Sequence, residues 1–276
     1  MRARSRRRVK LPPIGMHGHG LEALQGKQSF WNFIKMVGAP HWQRKMINIA
    51  DVNLSLGGGM DDLLINAGAD PRAILHACNG IDEGWLAGDV AENTKNGGVK
   101  FLFVGRYEER KGVKELNDAI SQLCQEWPGG TEIHFVGPIP EPMRISKPFA
   151  IYHGKIADEA VIKEIYAMCD VLVAPSHSEG VPTVILEAMA CGMAVIATDV
   201  GGVSLLVSQD VGALIAPRDV DQLVSSMREA IVAGWELKKK AARQQVESFT
   251  WPLVAEKFIE ELWSFLNHGK KTEGAT

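Results

Sequence analysis

The sequence predicts an α/β protein whose main part is a parallel sheet with helices on both faces. From Gly98 onward, strand-like and helix-like segments alternate and are joined by short connections. The strand-like segments are continuous apolar runs, which is typical of strands that are buried on both faces. Repeated β–α units of this kind build a Rossmann-like domain, and its ligands bind beyond the carboxyl ends of the strands.

Short apolar runs predict the strands of this region, and apolar residues at intervals of three and four predict the helices. The first helix, for example, places Leu116, Ile120 and Leu123 on one face. Gly192 ends the third helix, and the break at residues 249–252 separates the last two. The predicted strands cover residues 99–104, 131–136, 149–152, 171–174, 194–198 and 213–216. The predicted helices cover residues 112–127, 159–168, 183–191, 203–208, 220–232, 235–245 and 251–266.

The segment before Gly98 has fewer predicted elements. Its strands cover residues 14–16, 51–56 and 73–77, and its helices cover residues 30–49 and 61–67. These strands are too few for a complete sheet, so the sequence predicts a second, incomplete Rossmann-like domain. The predicted organisation is a partial N-terminal domain at residues 1–85, a linker at 86–97, the complete domain at 98–248 and a C-terminal helix at 249–276.

Composition excludes several functional classes. The formal net charge is −3, and nucleic acid is not expected as a partner because it usually requires a basic domain. The cysteines show no C-x-x-C pair and no His/Cys ligand spacing, which indicates a reduced, cytoplasmic protein without structural zinc. They are Cys78, Cys124, Cys169 and Cys191. No apolar run approaches the length of a membrane span.

The chain begins with a basic run, MRARSRRRVK, at residues 1–10. The apolar stretch that a signal peptide needs does not follow it. The simpler interpretation is an exposed tail. The alternative is a patch that contacts an anionic membrane surface, which would make the protein peripheral at the inner face of a membrane.

Two cations lie in the turn that joins the first strand of the complete domain to its first helix. This turn reads GRYEERKG, and it contains Arg106 and Lys111. A strand-to-helix turn directs free backbone N–H groups and the positive end of the helix dipole at a bound anion. The alternatives are therefore a phosphate site and a solvated basic turn in which Glu108 and Glu109 pair with the cations.

Two carboxylates accompany a second turn, PSHSEGVPT, which joins a buried strand to a helix. Glu179 lies in the turn, whereas Glu187 lies on the helix four residues after Thr183, on the same helix face. Each carboxylate can accept hydrogen bonds from two neighbouring hydroxyls, as sugar recognition requires. A single glutamate in this position would more simply be a helix cap, but two of them can line one cleft.

Together these stretches resemble the C-terminal domain of the group 1 (GT4-like) retaining glycosyltransferases, which have the GT-B fold. The matching runs are FVGRYEERKG, HFVG, YHGKIADEAVIKEIYAMCDVLVAPS, SEGVPTVILEAMACGMAVIATDVGGV, GALIAP and FTW. Among them, the E-x7-E spacing of Glu179 and Glu187 is the most specific feature. The resemblance covers about residues 98–266 and extends more weakly back to residues 50–82, which resemble the end of the family's acceptor-side N-terminal domain.

The resemblance implies a transfer of sugar from a nucleotide-diphosphate sugar with retention of anomeric configuration. Arg106 and Lys111 would hold the donor diphosphate and stabilise its charge as it departs. Glu187 would hold the ribose hydroxyls, and Glu179, a further catalytic candidate, would hold the hydroxyls of the transferred sugar. The other donor-binding positions implied are Gly154 and Ile156 at the base, and Gly180, Val181, Pro182 and Thr183 in the cradle around the phosphate and sugar.

The family mostly works without a bound metal, so neither a metal nor another cofactor is expected. The run IGMHGHG resembles a family strand that ends in a His-Gly pair facing the cleft, which makes His17 a catalytic candidate. His19, two residues later, is the alternative match, and both could equally be histidines of a loop. Where the family commonly has a glutamate after its last Gly-Gly pair, this chain has Leu205.

Because the resemblance begins inside the first domain, we expect donor binding to persist in part and turnover by the chain alone to be weak. The alternative function is therefore a nucleotide-sugar-binding subunit that depends on a second chain for the missing strands. A GT-B epimerase is a third hypothesis, which the E-x7-E spacing disfavours. The acceptor, whether a sugar, a lipid or another molecule, is left open.

Overall fold

The computed structural model describes residues 14–17, 39–87 and 98–271, without the side chains of residues 39, 40 and 268–271. The chain divides into two compact units, Met1–Cys78 with Pro252–Thr276 and Asn79–Trp251. Several predicted features lie outside the described residues. They are the basic run at 1–10, His19, residues 30–38 of the predicted helix 30–49, and residues 88–97 of the predicted linker.

The described part of the first unit contains a small parallel sheet. Its strands are β1 (Gly15–His17), β2 (Val52–Ser55) and β3 (Ile74–His76), in the spatial order β1-β2-β3. Helix α1 (Ala39–Ile49) precedes β2, and helix α2 (Gly59–Asn66) follows it. The three predicted strands are thus confirmed, and all of them run in the same direction.

His76 links three elements within the first unit. Its backbone N–H donates to Glu261 Oε2 at 2.7 Å, and its ring Nε2 lies 3.0 Å from Asp61 Oδ2. Burial alone would lower the pKa of His76, but the Asp61 and Glu261 carboxylates outweigh burial and raise it. The histidine therefore connects α2 and the end of β3 to the C-terminal helix.

In the described part of the second unit, a six-stranded parallel sheet has the spatial order β6-β5-β4-β7-β8-β9. The strands are β4 (Lys100–Val104), β5 (Glu132–Val136), β6 (Ala150–Gly154), β7 (Val171–Ala174), β8 (Ala194–Thr198) and β9 (Gly212–Ile215). From β4 the chain continues through β5 to β6 at one edge of the sheet, and from β7 it continues through β8 to β9 at the other edge. The strand order therefore reverses between β4 and β7. Ligands of such sheets bind at this switch point, outside the carboxyl ends of the strands.

The helices of this sheet lie close to their predicted positions. They are α3 (Val113–Leu123), α4 (Glu159–Ala167), α5 (Thr183–Ala190), α6 (Val203–Leu206), α7 (Val220–Ala233) and α8 (Glu236–Val246), followed by α9 (Trp251–Lys271). The prediction for α3, residues 112–127, was too long at its C-terminal end. Pro128 and Gly129 follow closely, and Trp127 stacks on Phe149 with ring centroids 4.6 Å apart instead of continuing the helix.

Apolar side chains of the strands are buried on both faces of this sheet. Phe101, Phe103 and Phe135 belong to a buried core cluster that also contains residues of α3 and α7. On intervening positions, Leu102 and Leu172 are equally buried. Burial on both faces explains why the strands are continuous apolar runs. The predicted fold class, a Rossmann-like parallel sheet with helices on both faces, is confirmed.

Within residues 14–17, 39–87 and 98–271, no helix combines the length and the apolar character that crossing a membrane requires.

Candidate functional site

Two loops leave the sheet on either side of its switch point and meet there. We call residues 105–112, which follow β4, the first loop, and residues 175–182, which follow β7, the second loop. The backbone N–H of His177 donates to the carbonyl oxygen of Arg110 at 2.7 Å, which joins the two loops directly. The predicted cations and carboxylates therefore lie on two segments that contact each other.

Glycines allow these loops to pack backbone against backbone. Gly112 has a left-handed backbone (φ 67°), and a Cβ there would collide with the carbonyl oxygen of Pro175. Gly201, in the turn after β8, has φ 58°, and its Cβ would collide with the carbonyl oxygen of Glu179. Both positions require glycine, since it lacks a Cβ and adopts positive φ without strain. Main-chain contacts thus bring the loops close together.

We expect Gly112→Ala to lower the free energy of unfolding by about 3 kcal/mol, from left-handed strain together with a backbone collision. Gly234→Ala is the matched control, because Gly234 has a similar φ of 71° with nothing within 4 Å of the added Cβ. It should lose only about 1 kcal/mol. Urea denaturation measures both values, and equal losses would contradict the close approach of the loops.

Lys111 and Glu179 form the central contact of the site. Lys111 ends a 3₁₀ turn at Glu109–Lys111 directly before α3, and its Nζ lies 2.6 Å from Glu179 Oε1. The two side chains are only 16% and 12% exposed. A charge pair in such a partly buried position is screened less by water than a surface pair. The structure thus brings together a predicted phosphate-binding cation and a predicted sugar-binding carboxylate.

Arg106 is the more exposed cation of the first loop. Its side chain is 68% exposed, and its Nε lies 3.0 Å from Glu108 Oε1. The second oxygen of Glu108 lies 2.9 Å from Arg110 Nε. Two guanidinium groups share one carboxylate, so the first loop has an excess of positive charge that an anion could balance. Pairing with Glu108 also agrees with the simpler interpretation of a solvated basic turn, but that interpretation does not account for Lys111.

Glu187 lies on α5 beyond the second loop. Tyr166 on α4 donates its hydroxyl hydrogen to Glu187 Oε2 at 2.8 Å. Burial raises the pKa of Glu187, and hydrogen bonds from Tyr166 and Thr183 oppose this by lowering it. The carboxylate is therefore held in place from two sides while the residue is still partly accessible.

Tyr166 was not among the residues singled out from the sequence. It is fully buried, and the ring of Trp85 meets it edge-on with centroids 5.5 Å apart. Burial, followed by the Glu187 charge, raises its pKa well above the ordinary tyrosine value, so the hydroxyl stays a hydrogen-bond donor. The apolar helical spacing of α4 predicts only a core residue here, because the partner lies 21 residues further along the chain.

The backbone of the second loop leads into the N-terminus of α5, where Pro182 precedes the first helical residue, Thr183. The first N–H groups of any helix have no partner within the helix and favour anions. Gly180 accepts a hydrogen bond from Gly202 N–H at 2.8 Å, and Val181 accepts one from the Asn79 side chain at 2.6 Å. These hydrogen bonds fix both carbonyl groups, and with them the orientation of the turn that contains the candidate N–H donors.

The remaining predicted residues lie outside the two loops. Gly154 ends β6, where Gly137 N–H donates to its carbonyl oxygen at 2.8 Å, and the partly buried Ile156 follows it. Beside Gly154, the ring of His153 stacks on that of His134 in β5, with a nitrogen–nitrogen distance of 2.9 Å. His17 ends β1 in the first unit, and its catalytic role stays a prediction.

Among the described residues, no group of three or more His, Cys, Asp or Glu side chains could hold a metal ion.

The chain is similar to known glycosyltransferases. A family profile described as "Glycosyl transferases group 1" matches residues 98–232. The chain is 33% identical over 172 residues to the putative teichuronic acid biosynthesis glycosyltransferase TuaC of Bacillus subtilis, which covers 62% of this chain and 39% of the relative. It is 31% identical over 220 residues to a D-inositol 3-phosphate glycosyltransferase of Geodermatophilus obscurus, which covers 71% of this chain and 48% of that relative. The chain thus spans less than half the length of each of these curated relatives.

Solved structures share the fold. Sucrose-phosphate synthase from Thermosynechococcus elongatus superposes with a TM-score of 0.76 at 22% identity, covering 92% of this chain and 68% of that one. Anabaena HepE in complex with UDP-glucose gives a TM-score of 0.69 at 21% identity, covering 91% of this chain and 72% of HepE.

Proposed function

We propose that the chain, which carries a group 1 glycosyltransferase domain at residues 98–232, transfers a sugar from a nucleotide-diphosphate sugar to an acceptor with retention of anomeric configuration. In this reaction the bond between the anomeric carbon and the diphosphate breaks, and a bond to an acceptor oxygen forms. The nucleoside diphosphate leaves with the bonding electrons, and the acceptor hydroxyl releases its proton.

The observation that carries the proposal is the contact between Lys111 and Glu179 at the switch point of the sheet. Its 2.6 Å separation places a cation and a carboxylate side by side, as a ligand with a phosphate next to a hydroxylated ring requires. Glu187 lies further along the same segment, on α5. A solvated basic turn explains neither the low exposure of this pair nor the buried hydrogen bond from Tyr166 to Glu187.

Each group then has a chemical role. Lys111 and Arg106 bind the diphosphate and offset the negative charge that grows on it as the bond breaks. Glu179 accepts hydrogen bonds from the transferred sugar, and Glu187 accepts them from the ribose. The N–H groups of Gly180, Val181 and Thr183 add backbone donors near the start of α5.

Two further assignments follow from the resemblance to the family. Gly154 and Ile156 border the nucleotide base, and His17 is a further catalytic candidate. His17 lies at the carboxyl end of β1, the edge at which parallel α/β sheets place ligand-binding residues. Retention is tested by NMR of the product, in which the new glycosidic bond should keep the anomeric configuration of the donor.

Calorimetric titration of the full chain with UDP, GDP and ADP, alongside a turnover assay with their glucose esters, tests the proposal. We expect one nucleotide to bind with a Kd of about 10–100 μM, within the usual range for enzyme substrates. Lys114→Ala is a suitable control, because the Lys114 side chain is 79% exposed and pairs with Asp118 on the outside of α3. It should leave binding unchanged.

Failure of all three diphosphates to bind at millimolar concentration would refute the proposed function. Binding without turnover would retain the donor site and would assign transfer to an assembly with a second chain.

A further inference from the structure

A second contact, which we call the inner contact, joins the start of α3 to the second loop next to the Lys111–Glu179 pair, which is the outer contact. Glu115 lies four residues after Lys111, in the first turn of α3, and His177 lies two residues before Glu179. Glu115 Oε1 is 3.0 Å from His177 Nε2. Lys111 thus pairs with Glu179 and Glu115 with His177, in opposite order along the chain. Both contacts join the region around the start of α3 to the second loop.

This inner contact is buried and its hydrogen bonding is incomplete. The His177 side chain is 9% exposed and that of Glu115 is 15% exposed. Among the described residues, neither His177 Nε2 nor Glu115 Oε2 has an aligned hydrogen-bond partner, so the 3.0 Å contact is close without being a good hydrogen bond. Buried polar groups of this kind cost free energy, and an apolar pair of similar volume would be at least as stable. Fold stability alone therefore does not explain the pair.

The backbone around His177 is held on both sides. Its own N–H donates to Arg110 of the first loop, and the hydroxyl of Thr198 in β8 donates to the carbonyl oxygen of the preceding residue, Ser176. The backbone at His177 is thus fixed at the point where the second loop begins to approach the first. Movement of the ring relative to Glu115 would be transmitted over two residues to Glu179.

We propose that Glu115 and His177 are a positioning pair that sets the separation of Lys111 and Glu179. The inference rests on the proposed function, in which an arriving nucleotide-sugar takes the Lys111 cation for its diphosphate and the Glu179 carboxylate for its sugar. The outer contact must then open, and the inner contact keeps the two loops in register. In this proposal neither Glu115 nor His177 touches the ligand, and both act through the position of the second loop.

His177→Leu tests this role, since leucine fills a similar volume without the ring nitrogens. We expect it to raise the Kd of the nucleoside diphosphate that binds best, among UDP, GDP and ADP, by about tenfold, as small displacements of binding groups do. The Kd of the matching nucleoside, which lacks phosphates, should change less than twofold. His177→Gln, which restores a side-chain N–H toward Glu115, should recover most of the lost affinity. Lys114→Ala again serves as the control.

A purely structural role would weaken the nucleoside and the diphosphate equally and would show no recovery with glutamine. Either of those results, or an unchanged diphosphate Kd in a folded His177→Leu protein, would overturn the inference.

Crystal structures of the wild type and His177→Leu provide a test that does not depend on nucleotide binding. The Lys111 Nζ–Glu179 Oε1 contact should be present in the wild type and displaced in the variant. An undisplaced contact would refute the positioning role even if every nucleotide failed to bind, whereas displacement in a chain that binds no nucleotide would refute only the proposed function.

Discussion

Glu187→Gln is expected to weaken nucleoside diphosphate binding by about 30-fold at pH 7.5, because hydrogen bonds to a charged acceptor contribute more than those to a neutral one. The glutamine keeps the size of the side chain and one acceptor oxygen, but it places an amide donor where a second ribose hydroxyl should donate. Titration calorimetry with the preferred nucleotide measures the change.

The same carboxylate gives donor binding a pH dependence. Burial raises the pKa of Glu187, although hydrogen bonds from Tyr166 and Thr183 counteract it. As the pH falls through this raised pKa, the carboxyl gains a proton and loses an acceptor site. Wild-type affinity should therefore be full above the pKa and decline below it, whereas Glu187→Gln should show a flatter profile between pH 5 and 8.

Tyr166→Phe separates the role of the hydroxyl from that of the carboxylate. Loss of its hydrogen bond removes an influence that lowers the pKa of Glu187, so the decline in affinity should move to higher pH. Glu164→Gln, a substitution at an exposed position of α4, is the control. If Glu187→Gln bound nucleotide as tightly as the wild type at every pH, ribose recognition by Glu187 would be wrong.

The strands of the second unit were predictable because a parallel strand needs apolar side chains on both faces. Strands β7 and β8 were predicted to the residue, as Val171–Ala174 and Ala194–Thr198. Boundaries were less accurate where tertiary contacts decide them. Trp127 fits the helical spacing of α3, yet it packs on Phe149, and a contact over 22 residues of sequence leaves no periodic signal.

The site was predictable where residues share one turn or one helix, as Thr183 and Glu187 do. Contacts across the switch point were not, because they depend on which strands become neighbours. Glu115 and His177 belong to segments separated by three strands (β5, β6 and β7) and one α-helix (α4), and Tyr166 reads as an ordinary core residue of α4. The sequence alone thus indicates the candidate ligand-binding groups, and the sheet order reveals the residues that contact them.

Lys111→Met is expected to reduce kcat/KM by about 10²- to 10³-fold, as the loss of one charge-stabilising group at a departing oxyanion typically does. Methionine retains the length of the side chain without its charge. It also leaves Glu179 without its cation, so the free energy of unfolding should fall by about 2 kcal/mol, less than for a fully buried pair.

The double variant Lys111→Met/Glu179→Gln distinguishes these two effects. Removing the unpaired carboxylate should restore most of the stability, measured by urea denaturation. Activity should not return, because both the diphosphate cation and the sugar-binding carboxylate are then missing. If the double variant regained activity together with stability, Lys111 would act on the reaction only by neutralising Glu179, and the diphosphate would have to depend on Arg106 and the backbone N–H groups alone.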